Sequence, residues 1–267
     1  MQVQYTKEYY ECIRSGSLRS AEVIAPLVLE ALDVSSIVDV GCGDGTWLSV
    51  FRRLGVEDAL GIDGEYVGDE FLQIPKELFR PIDLRKPFKI ERCFDLAVCL
   101  EVAEHLPAEC APSLVESLAQ LAPMVLFSAA IPFQGGLDHV NEQWPDRWAA
   151  LFGAHGYLPI DFLRKRIWQN ETVEMWYVQN TILFAQRRFL QGNETLMAEY
   201  ERTDPRQLCV VHPRQYIKLK NELEARIPTE PPRWGVRGAI GLLLRALKDA
   251  FLRRVGRVRS DNPKQGV

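Results

Sequence analysis

The densest chemistry in this 267-residue chain lies in Asp39-Val40-Gly41-Cys42-Gly43-Asp44-Gly45. An acid closes a short β-branched run, IVDV, and alternating glycines lead into TWLSVFRRLG, which is spaced as a helix. Glycine lets the backbone turn sharply and lets a ligand approach without meeting a Cβ. A helix start offers unpaired N–H groups to an anion, and Asp39 can hold an ammonium group. A ligand carrying a carboxylate and an ammonium on one carbon fits that polarity. The rival reading is a dinucleotide site, but G-x-G-x-x-G needs Gly or Ala where this chain has Thr46. A glycine-rich turn with no ligand is the plainer alternative.

Further acids fall at the ends of later apolar runs. ALGID ends in Asp63, followed by Gly64, near the ~20-residue offset at which an acid reaches a ribose hydroxyl in doubly wound folds. FRPIDL carries Asp83-Leu84, where a carboxylate can accept from an adenine amino group, and FDLAVCL ends in Leu100-Glu101. Any one of these acids alone reads as a solvated loop carboxylate. Together they stand where open α/β sheets bind ligands, at the carboxyl ends of strands.

A second cluster is Asp138-His139-Val140-Asn141-Glu142-Gln143-Trp144. His139 is the candidate base or acceptor ligand and Glu142 its orienter, with His105 in EVAEH as the second candidate. The competing reading makes 138–143 a cap for a helix that begins at Pro145. His155, just before Gly156, suits a helix C-terminus.

Strands at IVDV, 59–63, 79–84, 94–100 and 124–130 alternate with helices, which predicts a doubly wound, mostly parallel α/β sheet with helices on both faces. Ser17 or Ser20 is expected to cap a first helix, and 157–168 and 175–187 read as two strands forming a terminal antiparallel hairpin. The expected organisation is an N-terminal helical cap at 1–35, a ligand-binding domain at 36–190, and an extension at 191–267. That extension holds a linker and a basic amphipathic helix at 236–257. Such a helix suits an anionic lipid surface, or equally its own domain or a partner subunit.

The net charge of −4 argues against a dedicated nucleic-acid binder. The six cysteines form no C-x-x-C pair and no zinc-finger spacing, so neither disulfides nor a metal is expected. No signal peptide and no apolar run of membrane-spanning length is present in the sequence. The expected location is the cytoplasm, with possible contact at the inner membrane face through 236–257.

On VDVGCGDG, GID and FDLAVCLEVAEHLP, the chain resembles class I, Rossmann-like S-adenosylmethionine-dependent methyltransferases over about residues 36–130. The resemblance implies S-adenosylmethionine as donor, with Asp39, Gly41, Cys42, Gly43 and Gly45 at its methionine end. It places Asp63 and Gly64 at the ribose, Asp83 and Leu84 at the adenine, and Leu100 and Glu101 toward the sulfonium. Gly64 departs from many relatives, which carry a larger residue against the adenine. The N-P-P-Y or D-P-P-Y of amine-directed nucleic-acid methyltransferases is absent. SGSLRSAEVIAPLVLEAL, HVNEQWPDRWAALF, WYVQNTILFA and VVHPRQY are similar to bacterial methyltransferases of polysaccharide and glycolipid biosynthesis. This implies O-methylation of a sugar or glycan hydroxyl. Trp144, Trp148, Trp168, Trp176 and Tyr177 then become candidates for sugar stacking, against a core role. The alternatives are an N-methyltransferase on an amino sugar or small metabolite, and a non-catalytic scaffold that binds S-adenosylmethionine.

Overall fold

The computed structural model describes the backbone of residues 7–226, the side chains of 14–225, and Ile240, Leu243, Leu244 and Lys248. Met1–Leu219 and Lys220–Val267 form two compact units. In the second unit Ile240, Leu243 and Leu244 are helical and exposed. Apart from these and Lys248, the basic segment 236–257 lies outside the described residues. No helix among the described residues is long and apolar enough to cross a membrane.

The first unit is built on a seven-stranded sheet in the order β3-β2-β1-β4-β5-β7-β6. Its strands are β1 (Ser36–Val40), β2 (Asp58–Asp63), β3 (Phe79–Pro81), β4 (Leu96–Leu100), β5 (Met124–Ser128), β6 (Tyr157–Ile160) and β7 (Ile182–Gln186). Pairings among β1 to β5 are parallel, whereas β7 runs antiparallel to both β5 and β6. The helices are α1 (Lys7–Ala31), α2 (Thr46–Arg53), α3 (Ala111–Leu121), α4 (Pro145–Ala154), α5 (Leu163–Ile167), α6 (Met175–Asn180), α7 (Arg187–Leu190), α8 (Glu194–Glu201) and α9 (Pro213–Arg226).

Alternation along the central strands feeds two separate cores. Leu96, Val98 and Leu100 of β4 join Met124 and Leu126 of β5 on one face, with Ile24 and Val28 of α1 and Leu48 and Phe51 of α2. Ala97, Cys99, Val125 and Phe127 join Leu114 and Leu118 of α3 and Trp148 and Phe152 of α4 on the other. Strands buried on both faces explain why these segments read as unbroken apolar runs.

Two local expectations are corrected. Neither Ser17 nor Ser20 caps a helix, because α1 already runs from Lys7. The Ser20 hydroxyl instead donates to Gly16 O at 2.7 Å and accepts from Glu174 N at 3.0 Å. Gly16 lies against the Glu174 side chain, where a Cβ would come 2.5 Å from the carboxylate and displace it. The terminal hairpin is present, but its strands are shorter than 157–168 and 175–187 suggest: α5 and α6 occupy much of those segments. Arg164 of α5 is buried, pairs with Asp161 at 2.7 Å, and donates to Gln179 O and Leu208 O. A strand conformation would point this guanidinium away from those partners.

The sheet order reverses between β1 and β4, since β1 leads outward to β2 and β4 to β5. A crevice at the carboxyl ends of these two strands is the expected ligand position. The loop after β1 and the segment after β4 flank it.

Candidate active site

The loop after β1 is shaped by backbone geometry. Gly41, Gly43 and Gly45 have φ of 79°, 53° and 80°, a region that L residues with a Cβ avoid. At Gly41 a Cβ would also lie 2.3 Å from Val102 Cγ2. Gly41 N and Cys42 N donate to Ile62 O, which ties the loop to β2. The first helical N–H of α2 is not free: Asp44 accepts from Thr46 N at 3.1 Å and from its hydroxyl at 2.6 Å. Arg14 of α1 donates to Asp44 at 2.6 Å, which brings a partly exposed guanidinium to the edge of the loop.

Asp39 is buried, and among the described residues no donor meets its carboxylate. Burial, and then Asp63 and Asp44 nearby, push its pKa up to about 8. Asp63 is buried too, and burial raises its pKa. Its carboxylate accepts from Gly43 N and Gly64 N, each at 2.7 Å, and from the Tyr66 hydroxyl. The Tyr66 ring lies over Gly64, where a Cβ would come within 2.2 Å of it. Tyr66 therefore fills the space that a larger residue at 64 would take.

Cys42 is a buried thiol whose pKa burial raises well above its usual value, so it packs and does not attack. Asp83 differs from the other acids: Arg85 holds it at 2.8 Å, Lys86 lies at 3.6 Å, and its pKa falls to about 2. Leu84 is buried in the core on the α3 side.

After β4 the chain turns through Glu101, whose φ is 55°. Glu101 N donates to Ser128 O at 3.0 Å, and its carboxylate accepts from Gln134 Nε2 at 3.0 Å and Asn180 Nδ2 at 3.1 Å. Gln134 in turn accepts from Gln179 at 3.2 Å and Asn180 at 2.9 Å. These amides are buried and form a polar network that fixes the carboxylate from β5, α6 and the loop between them. Sequence reasoning missed them. The available signal was amide residues in otherwise apolar frames, IPFQGG and YVQNTILF.

The acceptor-side candidates lie close together. Ala103–His105 forms a single 3-10 turn, and the loop 131–144 folds back over it. Glu104 O accepts from Val140 N at 2.8 Å and Asn141 N at 3.1 Å. The His139 Nδ1 and Glu142 Oε1 atoms are 2.9 Å apart. Glu142 also accepts from Phe133 N at 2.7 Å and Gly135 N at 2.8 Å, so it folds the loop as well as orienting the ring. His105 and His139 meet edge to face, with centroids 4.9 Å apart. Burial, and then His139, lower the His105 pKa to about 4, which keeps its imidazole neutral near pH 7. Burial and the neighbouring Glu101 hold the Glu104 carboxyl well above its usual range. The capping alternative for 138–143 fails, because Trp144 occupies the N-cap of α4 with no side-chain cap bond.

Positive-φ residues other than glycine, among the described residues, are Glu101, Phe133 and Asp138. All lie in the two segments that follow β4 and β5. Strain of this kind collects where a site must hold a fixed geometry. Phe133, Leu137 and Val140 are exposed around the loop, and Trp144 is partly so. Trp148 and Tyr177 are buried and unavailable for stacking. Tyr177 takes the Trp47 Nε1–H at 3.3 Å. His155 is exposed at the C-cap of α4, as expected, and His212 is bound at both ring nitrogens, to Trp168 O and Arg214 N.

The fold, the glycine loop and the acids at the strand ends define a class I S-adenosylmethionine-dependent methyltransferase. Residues 14–170 match the family described as a methyltransferase domain, and the chain belongs to that family. DesVI of Streptomyces venezuelae is similar in structure, with TM-score 0.50 and 17% identity, covering 70% of this chain and 100% of that one. The sugar N-methyltransferase KedS8 of a Streptoalloteichus species has TM-score 0.54 and 14% identity, covering 70% of this chain and 95% of its own. The magnesium protoporphyrin IX methyltransferase of Synechocystis, with bound S-adenosylhomocysteine, has TM-score 0.47 and 20% identity, covering 70% and 90%. No curated protein matches the chain.

S-adenosylmethionine fits what the site offers. Asp39 is a buried carboxylate without a donor, which suits the ligand's ammonium. The glycines at 41, 43 and 45 give the loop after β1 the left-handed backbone that turns it past Asp39, with Val102 and Ile74 filling the space a Cβ would take at 41 and 45. Asp39, faced by Asp63 and Asp44, is mostly protonated in the free protein at pH 7 because its pKa is about 8. A bound ammonium favours the charged carboxylate, so binding should release a proton, and affinity should rise as pH climbs toward about 8. Calorimetry in two buffers of different ionisation enthalpy measures the release, which should approach one proton and vanish in Asp39→Asn. The free protein should show the opposite trend in stability. A carboxylate whose folded pKa is raised loses stabilisation between the ordinary carboxylate range and about pH 8.

Proposed function

We propose that the chain methylates a hydroxyl group of a sugar or glycan, with Asp39, the 41–45 loop and Asp63 holding S-adenosylmethionine. When bound, the donor supplies an electrophilic methyl group on a sulfonium. Asp39 takes the ammonium, and Arg14, beside Asp44, lies in reach of the loop edge to meet the carboxylate. Asp63 takes ribose hydroxyls in place of the Tyr66 hydroxyl it now accepts. Asp83, already engaged by Arg85, is a weaker candidate for the adenine than Leu84 and the Tyr66 ring.

In-line transfer needs positioning above all, and a hydroxyl acceptor also needs help in losing its proton. The observation that carries the hydroxyl reading is the His139–Glu142 pair at 2.9 Å. It packs on the same short segment, residues 101–105, whose Val102 closes on Gly41. One stretch of chain thus touches the donor loop on one side and an oriented imidazole on the other. Glu142 fixes the ring through Nδ1, leaving Nε2 for the acceptor.

The second reading is N-methylation of an amino sugar. The likeness to KedS8, a sugar N-methyltransferase, favours it, although at 14% identity that likeness speaks for fold. Transfer of a labelled methyl group to matched neutral and amino sugars separates the two. Hydroxyl transfer that depends on His139 supports the first. Transfer confined to the amine, with a shallow pH profile and no dependence on His139, would replace it with the second.

A further inference from the structure

We propose that Glu104, His105 and His139 form a binding site for a first-row divalent cation. Each residue brings one ligand atom, and these atoms all lie within 4.8 Å of one another. Two of the residues hold buried atoms that the protein leaves without a partner. Glu104 is fully buried, its Oε1 accepts from Ala130 N at 3.1 Å, and its Oε2 meets no donor. His105 Nδ1 is likewise buried without a hydrogen bond. A buried carboxylate oxygen and a buried imidazole nitrogen, left unmet on two residues of one cluster, are costly unless something satisfies them. A cation satisfies both at once.

The third ligand is held as a metal ligand needs to be held. Metal-bound histidines usually give their other ring nitrogen to a carboxylate, which fixes tautomer and direction. His139 Nδ1 does this with Glu142 Oε1 at 2.9 Å, and Glu142 is itself pinned by Phe133 N and Gly135 N. Gly136 leaves the ring its room, since a Cβ there would lie 2.2 Å from His139 Nε2. Asp138, whose backbone is strained at φ 56°, sets up this turn. Two imidazoles and one carboxylate suit manganese, iron, cobalt or zinc better than magnesium, which prefers all-oxygen shells. Such a triad leaves further coordination positions open.

Those open positions give the site its use. On the reading that the acceptor is a hydroxyl compound, its oxygen would coordinate the ion and become more acidic there. His139 then serves as a ligand, and the proton of the hydroxyl acidified by the ion is lost to solvent water as the oxygen takes the methyl group. The cation binding itself does not depend on that reading.

The test uses the full chain stripped with a chelator and titrated with Mn²⁺, free ion being followed by electron paramagnetic resonance. Wild type should bind one Mn²⁺ per chain. His139→Ala and His105→Ala should each weaken binding at least about tenfold, and Glu142→Gln by about 10- to 100-fold. Glu104→Gln is the buried variant most exposed to folding loss, so S-adenosylhomocysteine binding is measured on every variant as the control for an intact fold. No Mn²⁺ or Zn²⁺ binding by wild type, or equal binding by wild type and folded His139→Ala, overturns the proposal. Hydroxyl methylation at full rate in excess chelator overturns the ion's role in acidifying the acceptor while sparing the function above. Binding that depends on these residues, without any hydroxyl methylation, sustains the site and removes the hydroxyl reading alone.

Discussion

Replacing His139 by alanine should lower the turnover number for a hydroxyl acceptor by about 10²- to 10⁴-fold, the range over which a positioned acid–base group acts. The side chain is oriented by Glu142 and stacked edge-on against His105, and no contact ties it to the donor loop. Affinity for S-adenosylhomocysteine should therefore stay within about twofold of wild type. Steady-state kinetics alongside calorimetry check both halves. A loss of affinity equal to the loss of turnover would show that the substitution had disturbed the fold instead. Glu142→Gln should lower turnover less, because the amide oxygen can keep one of the two backbone N–H bonds that the carboxylate holds through separate oxygens while losing its charge.

Gly41→Ala should abolish measurable donor binding and destabilise the protein by about 2–5 kcal/mol. The figure combines ~1–2 kcal/mol for a Cβ in the left-handed region with ~1–3 kcal/mol for overpacking. The overpacking is specific: a Cβ at this position lies 2.3 Å and 2.7 Å from the two Val102 methyl groups. Two comparisons separate the causes. Gly55→Ala carries the same kind of backbone cost, at φ 104°, but its Cβ would meet nothing within 4 Å. It should lose only the conformational part and keep donor binding. Gly41→Ala combined with Val102→Ala removes both clashing methyls and should recover part of the stability. Denaturant melts of the three variants measure the split. Equal losses in Gly41→Ala and Gly55→Ala would refute the close approach of the two segments.

The donor half of the site was legible in the sequence because its parts are local or stand at strand ends. VDVGCGDG is one uninterrupted turn, and Asp63 and Glu101 mark where apolar runs stop. What pairs with what was less accessible. The approach of Val102 to Gly41 and of Asn180 to Glu101 depends on strand order, and nothing within either segment announces its partner. The same holds for the tie between Arg14 and Asp44, which needs α1 to pack across α2.

The misread elements share a cause. Ser17 and Ser20 are residue types that cap helices, which places the start of α1 too late. Tertiary contact overrides that: Gly16 admits Glu174, and Ser20 bonds within the helix and to Glu174 N. Residues 157–168 read as one strand, yet only Tyr157–Ile160 form β6 and Leu163–Ile167 form α5. The buried pair of Arg164 and Asp161, three residues apart, favours a helical turn there. On the acceptor side, His139, Glu142 and His105 were identifiable by type, yet the unmet atoms of Glu104 and His105 emerge only in three dimensions.

Calorimetric titration of S-adenosylhomocysteine into wild type and Asp63→Ala tests most directly a donor site built on the acids at the ends of β1 and β2. Wild type should bind in the micromolar range, and binding should weaken by about 1–3 kcal/mol when the Asp63 carboxylate is removed. Absence of binding by wild type, or unchanged affinity in a folded Asp63→Ala, would contradict it.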